Sequence, residues 1–430
     1  NFESQSITLE VWICFSNFKD IPESTQGTVT IGGKEVNYKI EQYGTQRIEE
    51  DEVGVRTIIQ PYKITVEYSS EKGIVREYKI VEIGKTPIFQ YAIFYAPDLE
   101  ILPGPSMTLS GRVHSNGDIY VGCGNTLTID SNYFRAVGHI YRDRKNTGQP
   151  SGGTVKIKVY GEDRYENMDV DFDSENPNWV DGALEKWKGT VQSADHGVTA
   201  LDVPTVGSIK PYREQEGGDY IYDEATGKYI PVEPGTGTHT KGYFHKNAGL
   251  VIIDNKAYDN AGNDITDKLP AGTITEKTMF DGREEKYIKV TEIDISKLNG
   301  SGYFPSNGLL YATRTDASVS QPNGIRLKNG SVLEGPLTVV SNDPVYIWGD
   351  YNVGAGKQPA AVIADAINIL SNAWDDSKRD GQLPTASDTT INAAFITGSY
   401  ETQPGVLYNG GFENLPRFHE KWSGKKCTIR

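Results

Sequence analysis

The most constraining feature of this sequence is a short corner that recurs after apolar runs. Ser-Asn follows such a run at residues 115–116, 341–342 and 371–372. From Leu102 onward, Gly, Asn, Ser and Asp interrupt apolar runs about every 8–12 residues. Asn tolerates left-handed corners and can hydrogen-bond between stacked turns of chain, which we call coils. The pattern therefore favours a parallel β-solenoid, and a β-sandwich with many hairpins is the alternative.

Three asparagines are the predicted corner residues of this solenoid. Asn116, Asn342 and Asn372 each end one of the Ser-Asn dipeptides. Because a buried backbone N–H or C=O needs a partner, we expect each side chain to satisfy backbone groups of adjacent coils. Trp348 and Trp374 are expected to pack near the ends of the coils.

The first hundred residues show a different, alternating pattern. Apolar residues occupy every second position in Tyr62–Tyr68. The turn Ser69–Gly73 follows, and Ile74–Ile80 then returns with Ile74, Tyr78 and Ile80 on one face. Alternation with period two predicts strands with one apolar face, and the turn joins these two strands into an antiparallel hairpin. A small antiparallel sheet is therefore expected at the N-terminal end.

The middle of the chain contains the best helix candidate. The residues at helical spacing after an Asn-Pro-Asn segment are Trp179, Val180, Ala183, Leu184 and Trp187. A second apolar run, Ala361–Leu370, fits either a buried helix or two strands. We predict strands there, because a Ser-Asn corner follows the run.

Together, these patterns predict a mostly β protein. A small N-terminal antiparallel sheet domain is followed by a parallel β-solenoid-like domain that contains an inserted α/β-hairpin elaboration. The predicted boundaries are 1–88 for the sheet domain, 89–204 for the first part of the solenoid-like domain, 205–300 for the insertion and 301–430 for the second part.

Composition narrows the classes of partner. The chain has 43 Lys and Arg against 58 Asp and Glu, which gives a net charge of −15. An acidic surface repels phosphate backbones, so no nucleic-acid partner is expected.

Three Cys do not form a disulfide framework. No apolar stretch reaches the roughly 18 residues of a membrane span. We expect the chain, which begins at Asn1, to be a piece of a longer one.

One acidic segment is a candidate metal site. Asp169, Asp171, Asp173 and Glu175 place acids at every second position, and such oxygens can surround Ca²⁺, the one candidate cofactor. A calcium hand loop would have Gly at 174 and Glu at 180, where this chain has Ser and Val. The alternative is an edge strand with a solvated acidic face. No catalytic residue is assigned.

Several phrases of the sequence resemble one known family. They are Pro87–Tyr95, Leu109–Val121, Pro344–Asn352, Ala360–Asp375, Asn392–Gly398 and Tyr408–Trp422. In this order they resemble the large pilin-like proteins of bacterial type IV pilus assembly, the PilX-type minor pilins, over roughly residues 80–205 and 300–430. In that family, a phrase like Gly111–Asp118 opens a β-solenoid-like domain.

The resemblance implies a hydrophobic N-terminal helix that inserts in the inner membrane and then packs in the core of the pilus. The start of this chain, Ile7–Phe15, is too short for that helix and contains Glu10. We therefore expect the helix either to lie upstream of Asn1 or to have been lost.

The functional prediction is a non-catalytic, extracellular structural or adhesive protein of a type IV pilus-like or other filament on the bacterial cell surface. Its expected partners are other pilin-like or filament subunits and surface glycans. One alternative is a carbohydrate-active or sugar-binding β-solenoid protein, whose hydrolase version needs two carboxylates about 5–10 Å apart. The other is a self-assembling fibre subunit, in which Asn1–Phe15 donates a strand to a neighbour's open sheet edge.

Overall fold

The computed structural model describes residues 24–71, 73–201, 209–210, 220–223, 228–231, 242–377, 383–398, 402–403, 405 and 411–430. The chain divides into two compact units, residues 1–92 and 93–430. It is mostly β, as the sequence predicted, and the described residues include three short α-helices. Within these ranges, no helix is both long and apolar enough to cross a membrane.

The first unit contains an antiparallel sheet of five strands. They are β1 (Ser24–Ile31), β2 (Lys34–Gln42), β3 (Arg47–Glu50), β4 (Arg56–Ser70) and β5 (Gly73–Lys85). The order is β1-β2-β4-β3, and β5 pairs with the other side of β4. The predicted hairpin is confirmed, because β4 and β5 are antiparallel partners from Ile58 and Lys85 up to the turn at Ser70 and Gly73.

A proline inside the central strand shows how this sheet tolerates a missing donor. Pro61 is buried in β4, yet it lies between the stretch that pairs with β3 and the stretch that pairs with β2. Its carbonyl accepts a bond of 2.9 Å from the backbone of Tyr43. Since proline has no N–H, a gap between two partner strands is where it costs the ladder least.

The second unit begins with short strands and one helix. They are β6 (Ile93–Tyr95), β7 (Leu99–Ile101), β8 (Met107–Ser110), β9 (Val113–Ser115), β10 (Ile119–Val121), β11 (Thr126–Asp130), β12 (Phe134–Ala136), β13 (Ile140–Tyr141), β14 (Thr154–Lys158), β15 (Tyr165–Met168), α1 (Trp179–Trp187) and β16 (Val191–Gln192).

These strands are arranged in three narrow sheets, of order β16-β12-β9-β6, β13-β10-β7 and β15-β14-β11-β8. The chain visits the three sheets in the same order three times, and each visit adds one strand parallel to the previous one. Only β15 pairs antiparallel, with β14. The stretch Met107–Val121 contains three of these strands, β8, β9 and β10, one from each sheet.

The predicted helix is confirmed. α1 spans the two tryptophans, and Trp179, Ala183 and Trp187 are buried against the apolar core formed by the three sheets. Val180 and Leu184, which the helical spacing also placed on the apolar face, are 38% and 41% exposed. The buried stripe is therefore narrower than the sequence suggests, because large indole rings at positions i and i+8 cover most of the contact.

The rest of the second unit contains the remaining elements. They are β17 (Tyr220–Asp223), β18 (Lys228–Pro231), α2 (Tyr243–Asn247), β19 (Leu250–Ile253), β20 (Lys256–Asp259), β21 (Ile274–Asp281), β22 (Lys286–Asp294), α3 (Ile295–Leu298), β23 (Leu309–Thr313), β24 (Asn323–Lys328), β25 (Leu337–Ser341), β26 (Val345–Trp348), β27 (Ala360–Ala364), β28 (Ile367–Leu370), β29 (Thr389–Ile391), β30 (Ala394–Thr397), β31 (Arg417–Phe418) and β32 (Cys427–Ile429).

Two six-stranded sheets dominate this part, with orders β20-β19-β23-β25-β27-β30 and β21-β22-β24-β26-β28-β31. Both are parallel apart from the antiparallel edge strands β20 and β21. Apolar side chains from the two sheets form one core, including Leu310 and Val339 from the first and Leu327 and Ile347 from the second. The prediction of strands over 361–370 is confirmed by β27 and β28.

The range predicted as an insertion, 205–300, is built into these sheets from residue 242 onward. Leu250 in β19 pairs with Leu310, and Ile293 in β22 pairs with Leu327, both in parallel register. The apolar strands of this range therefore complete the same core as the later strands. Among the described residues, the β17–β18 hairpin is the part of the range that forms a two-stranded sheet of its own.

Candidate functional site

The corner between the first two narrow sheets is held by aspartates rather than by the predicted asparagine. Oδ1 of Asp98 accepts a hydrogen bond of 2.8 Å from the backbone of Asp118, and Oδ1 of Asp118 accepts one of 2.7 Å from the backbone of His139. Each bond joins positions about twenty residues apart, and each position lies directly before one of the parallel strands β7, β10 and β13. These carboxylates thus do what was expected of Asn116, and the sequence reasoning missed them.

Two glycines make room for this aspartate ladder. A Cβ at Gly117 would lie 2.3 Å from Oδ1 of Asp98, and a Cβ at Gly138 would lie 2.1 Å from Oδ1 of Asp118. Neither distance is compatible with a side chain, so both positions require glycine. The recurrence of Gly directly before the ladder residues Asp118 and His139 is the signal in the sequence that could have located the corner.

The side chain of Asn116 reaches a different segment. Its Nδ2 donates to the carbonyl of Leu201 at 2.6 Å, and its Oδ1 accepts from the backbone N–H of Leu201 at 3.0 Å. Nε2 of His114 lies 3.1 Å from the same Oδ1. Asn116 therefore clamps the backbone at residue 201 onto the end of β9, instead of bridging neighbouring strands.

The other two predicted corners differ from each other. Oδ1 of Asn372 accepts from the backbone of Asp350 at 2.9 Å, and its Nδ2 donates to the carbonyl of Asp388 at 3.0 Å. Asn372 thus joins backbone groups on both sides of its own turn. Asn342 makes no side-chain hydrogen bond within the described residues, and the buried carboxylate beside it, Asp343, bonds instead to Thr313 and Arg314.

The four acids of the candidate calcium site follow strand β15 in a series of turns, not in an edge strand. Asp173 accepts from the backbone of Arg142 and of Glu175, each at 3.0 Å, and Asp169 is 3.0 Å from Nζ of Lys186. Within the ranges that the structure describes, no group of three or more His, Cys, Asp or Glu residues is arranged to hold a metal ion. Calcium binding by these four acids remains a prediction.

A group of buried charges lies on the second of the six-stranded sheets. Arg326 is fully buried, and its Nε donates to Oε2 of Glu292 at 2.8 Å. Its two terminal nitrogens reach the carboxylate of Asp376 at 2.6 and 2.9 Å. The guanidinium thus lies between two carboxylates that come from β22 and from the segment after β28.

This ionic group, Glu292–Arg326–Asp376, lies on the face opposite the apolar core. Glu292, Arg326 and Tyr346 are neighbours in register, whereas the next residues along, such as Leu327, belong to the core. Side chains alternate between the two faces of a strand, so the charged group is on the outer face. Trp374 helps to cover it, and its Nε1 donates to Asp376 at 2.9 Å.

Further contacts neutralise and shield the ionic group. Nζ of Lys328 is 2.5 Å from Oε1 of Glu292, so that carboxylate meets two cations. The guanidinium carbon of Arg326 is 4.9 Å from the ring centre of Trp348, within cation–π range. Trp348 is the last residue of β26, and its predicted packing at the end of a coil stays a prediction.

A second buried polar group continues along the same outer face. The hydroxyl of Tyr346 donates to Oδ2 of Asp281, and burial together with that carboxylate raises the pKa of Tyr346 well above its usual value. Burial lowers the pKa of His419, which favours the neutral ring, and Nε2 of His419 is 2.9 Å from Oδ1 of Asn368. Oδ1 of Asp281 meanwhile accepts from the backbone of Arg283 at 2.7 Å.

The polar contacts on the outer face of this sheet hold the segment after β28 and the segment around His419 against the sheet. The carboxylate oxygens of Glu292 and Asp376 are engaged with cations of the same chain, and Glu420 accepts both the backbone N–H and the hydroxyl of Ser371, at 2.6 and 2.7 Å. Such paired, buried charges fix the position of a covering segment.

No family model matches this chain, and neither the search of curated proteins nor the search of solved structures finds a match. The site is therefore interpreted from its own geometry.

Proposed function

We propose that the chain is a non-catalytic structural protein of an extracellular, type IV pilus-like filament, and that its second unit is a parallel β-solenoid. The observation that carries the proposal is the threefold passage through β6–β7–β8, β9–β10–β11 and β12–β13–β14, each strand parallel to its predecessor. In this interpretation each passage is one coil. A β-sandwich built from hairpins would instead give antiparallel neighbours.

The two six-stranded sheets are interpreted as a second stack, whose coils each contribute one strand to each sheet. β23 and β24, β25 and β26, and β27 and β28 are the successive pairs. In such a stack, hydrogen bonds run from coil to coil and the backbone is satisfied without disulfides. That property suits a protein that works outside the cell.

Internal ties of both stacks support a mechanical role. The aspartate ladder through Asp98 and Asp118 links coils by side chain as well as by backbone. The Glu292–Arg326–Asp376 group places the buried carboxylate of Glu292 and the partly exposed carboxylate of Asp376 in ion pairs with Arg326 of the same chain. We interpret these carboxylates as structural ties rather than as an acid and base.

The partners in this proposal are other pilin-like or filament subunits, and surface glycans are a second class. Tyr120 and Tyr141, from neighbouring strands, are half-exposed and stacked with ring centres 5.0 Å apart. Aromatic faces of this kind can pack on sugar rings. The alternative strand-donation model depends on Asn1–Phe15, which lies outside the described residues.

The test is to map the encoded N-terminus and the mature cleavage site in the native cell, and to fractionate sheared surface filaments. The proposal expects a run of about 20 apolar residues with a Glu near its start, as the resemblance implies, and recovery of the protein with sheared filaments. A plain secretion signal together with recovery only in the soluble medium would overturn the filament assignment. Sugar-active and free fibre proteins would then be the remaining classes.

A further inference from the structure

Strand β5 is a long edge with exposed apolar side chains. It spans Gly73–Lys85 and, within the part of the chain that the structure describes, pairs only with β4. Ile74 is 66% exposed, Tyr78 67% and Ile80 44%. Soluble proteins usually shorten, bend or cover such an edge, because its open N–H and C=O groups can pair with another chain.

The register of the hairpin shows which backbone groups face outward. Ser70 pairs with Gly73 across a two-residue turn, so this pair exchanges both hydrogen bonds, and such pairs then alternate along the ladder. Pro61, which has no N–H, lies opposite Glu82 at a pair that exchanges none, as this alternation requires. The N–H and C=O groups of the even-numbered residues from Ile74 to Glu82 therefore point away from β4.

We propose that β5 pairs antiparallel with β5 of a second copy of this chain, about a two-fold axis at Tyr78. In this register Glu77 lies opposite Lys79 of the partner subunit, and the symmetry forms that ion pair twice. Val75 lies opposite Val81 of the partner subunit. Both pairs are positions without backbone bonds, where opposing side chains approach most closely.

The charges of β5 select this register over its neighbours. Moving the axis to Glu77 would place Glu77 opposite itself, and moving it to Lys79 would place Lys79 opposite itself, and like charges directly opposite are unfavourable. Glu77 and Lys79 form no ion pair within the described residues. The other charges near the centre are already used in the chain, since Arg76 pairs with Glu67 and Glu82 with Arg47.

The pairing would join two five-stranded sheets edge to edge, with the same surface used on both copies. An interface of this kind closes on itself, so it gives discrete pairs of molecules. The inference therefore goes beyond the filament proposal, and it stands or fails independently of whether the protein is part of a pilus.

The test is analytical ultracentrifugation of the full chain and of two charge variants. Wild type is expected to dimerise. Glu77→Lys places lysines opposite each other and Lys79→Glu places glutamates opposite each other, so each variant should weaken the dimer at least about tenfold. An equimolar mixture of the two variants should form a heterodimer, because both cross-pairs are then Lys with Glu.

Two further variants make the result specific. The double variant Glu77→Lys/Lys79→Glu should dimerise like wild type. Glu35→Lys makes the same charge change at an exposed position of β2, away from the β5 edge, and should leave the dimer unchanged. A monomeric wild type would overturn the proposal, and so would an assembly that neither single variant weakens. Association of the mixture would exclude misfolding as the cause of the single-variant effects. Failure of the mixture to associate would overturn this register.

Discussion

Asp343 is the residue whose surroundings have the clearest consequence for stability. It lies in the corner after β25, and burial raises its pKa from 3.8 to about 6, against the opposing effect of hydrogen bonds from Arg314 and Thr313. A raised folded-state pKa means that the protonated form is favoured in the native protein. The stability contributed by Asp343 is therefore fully present below pH 3.8 and is lost as the pH rises through about 6.

The prediction from Asp343 is that Asp343→Asn stabilises the protein selectively at neutral pH. An amide has nearly the same shape and carries no buried charge, so the gain in unfolding free energy at pH 7.5 over that at pH 4 should be about 2 kcal/mol. Urea unfolding at both pH values measures it, with exposed Asp169→Asn as control. An equal effect of Asp343→Asn at both pH values would contradict the assignment.

On the scale of secondary-structure elements, the outer face of the second six-stranded sheet is where long-range ties are concentrated. Arg326 joins β24 to β22 and to the segment after β28, while Arg283 Nε donates to the carbonyl of Phe418 at 3.0 Å. These bonds hold the segment after β28 and the segment around Phe418 on the outer face of the sheet. Without these segments, the strands would expose both apolar and polar side chains there.

We predict that Arg326→Leu lowers the unfolding free energy by about 3–5 kcal/mol, because among the described residues it leaves buried Glu292 with Lys328 alone as counter-charge. Asp376→Asn should cost only about 1 kcal/mol, since Asp376 is 30% exposed and the guanidinium keeps Glu292. Adding Glu292→Gln to Arg326→Leu should recover part of the loss. Denaturant unfolding of these variants and of Glu292→Gln alone forms the test, and strictly additive effects of Arg326→Leu and Glu292→Gln would argue against a coupled group.

The elements also show what could be predicted from the sequence. α1 and the strands over 361–370 were predictable, because their apolar spacing is local. The corner was placed at Asn116 rather than at Asp118, because the deciding bond runs to a backbone group of another strand, 21 residues away. The ion pair between Arg326 and Asp376 spans 50 residues, and the local sequence around either residue does not predict it.

For the whole molecule, the two compact units differ greatly in the size of their cores. The described part of the first unit buries few apolar side chains, chiefly Ile40, Val55, Pro61 and Tyr62, whereas the second unit contains several buried clusters. Since apolar burial supplies most of the free energy of folding, the first unit should be the less stable of the two.

Calorimetry should therefore show two transitions, the first from the N-terminal sheet. Tyr62→Ala removes a ring that is 3% exposed, so it should lower the first transition by an amount that corresponds to about 3 kcal/mol and leave the second unchanged. Val251→Ala, in the second unit, serves as the reciprocal control. A single transition that both substitutions shift equally would show that the units unfold together.

The aspartate ladder also determines where this architecture can change in length. Asp98 to Asp118 and Asp118 to His139 are steps of 20 and 21 residues, so the ladder fixes the length of chain between successive strands of the β13-β10-β7 sheet. The connection from β13 to β14 is free of that constraint, and it is already longer than its counterparts before β8 and β11. A foreign epitope inserted near Gly148 would leave the strand pairing of the sheets unchanged. The same insertion beside Gly117 or Gly138 would disturb the spacing of successive strands.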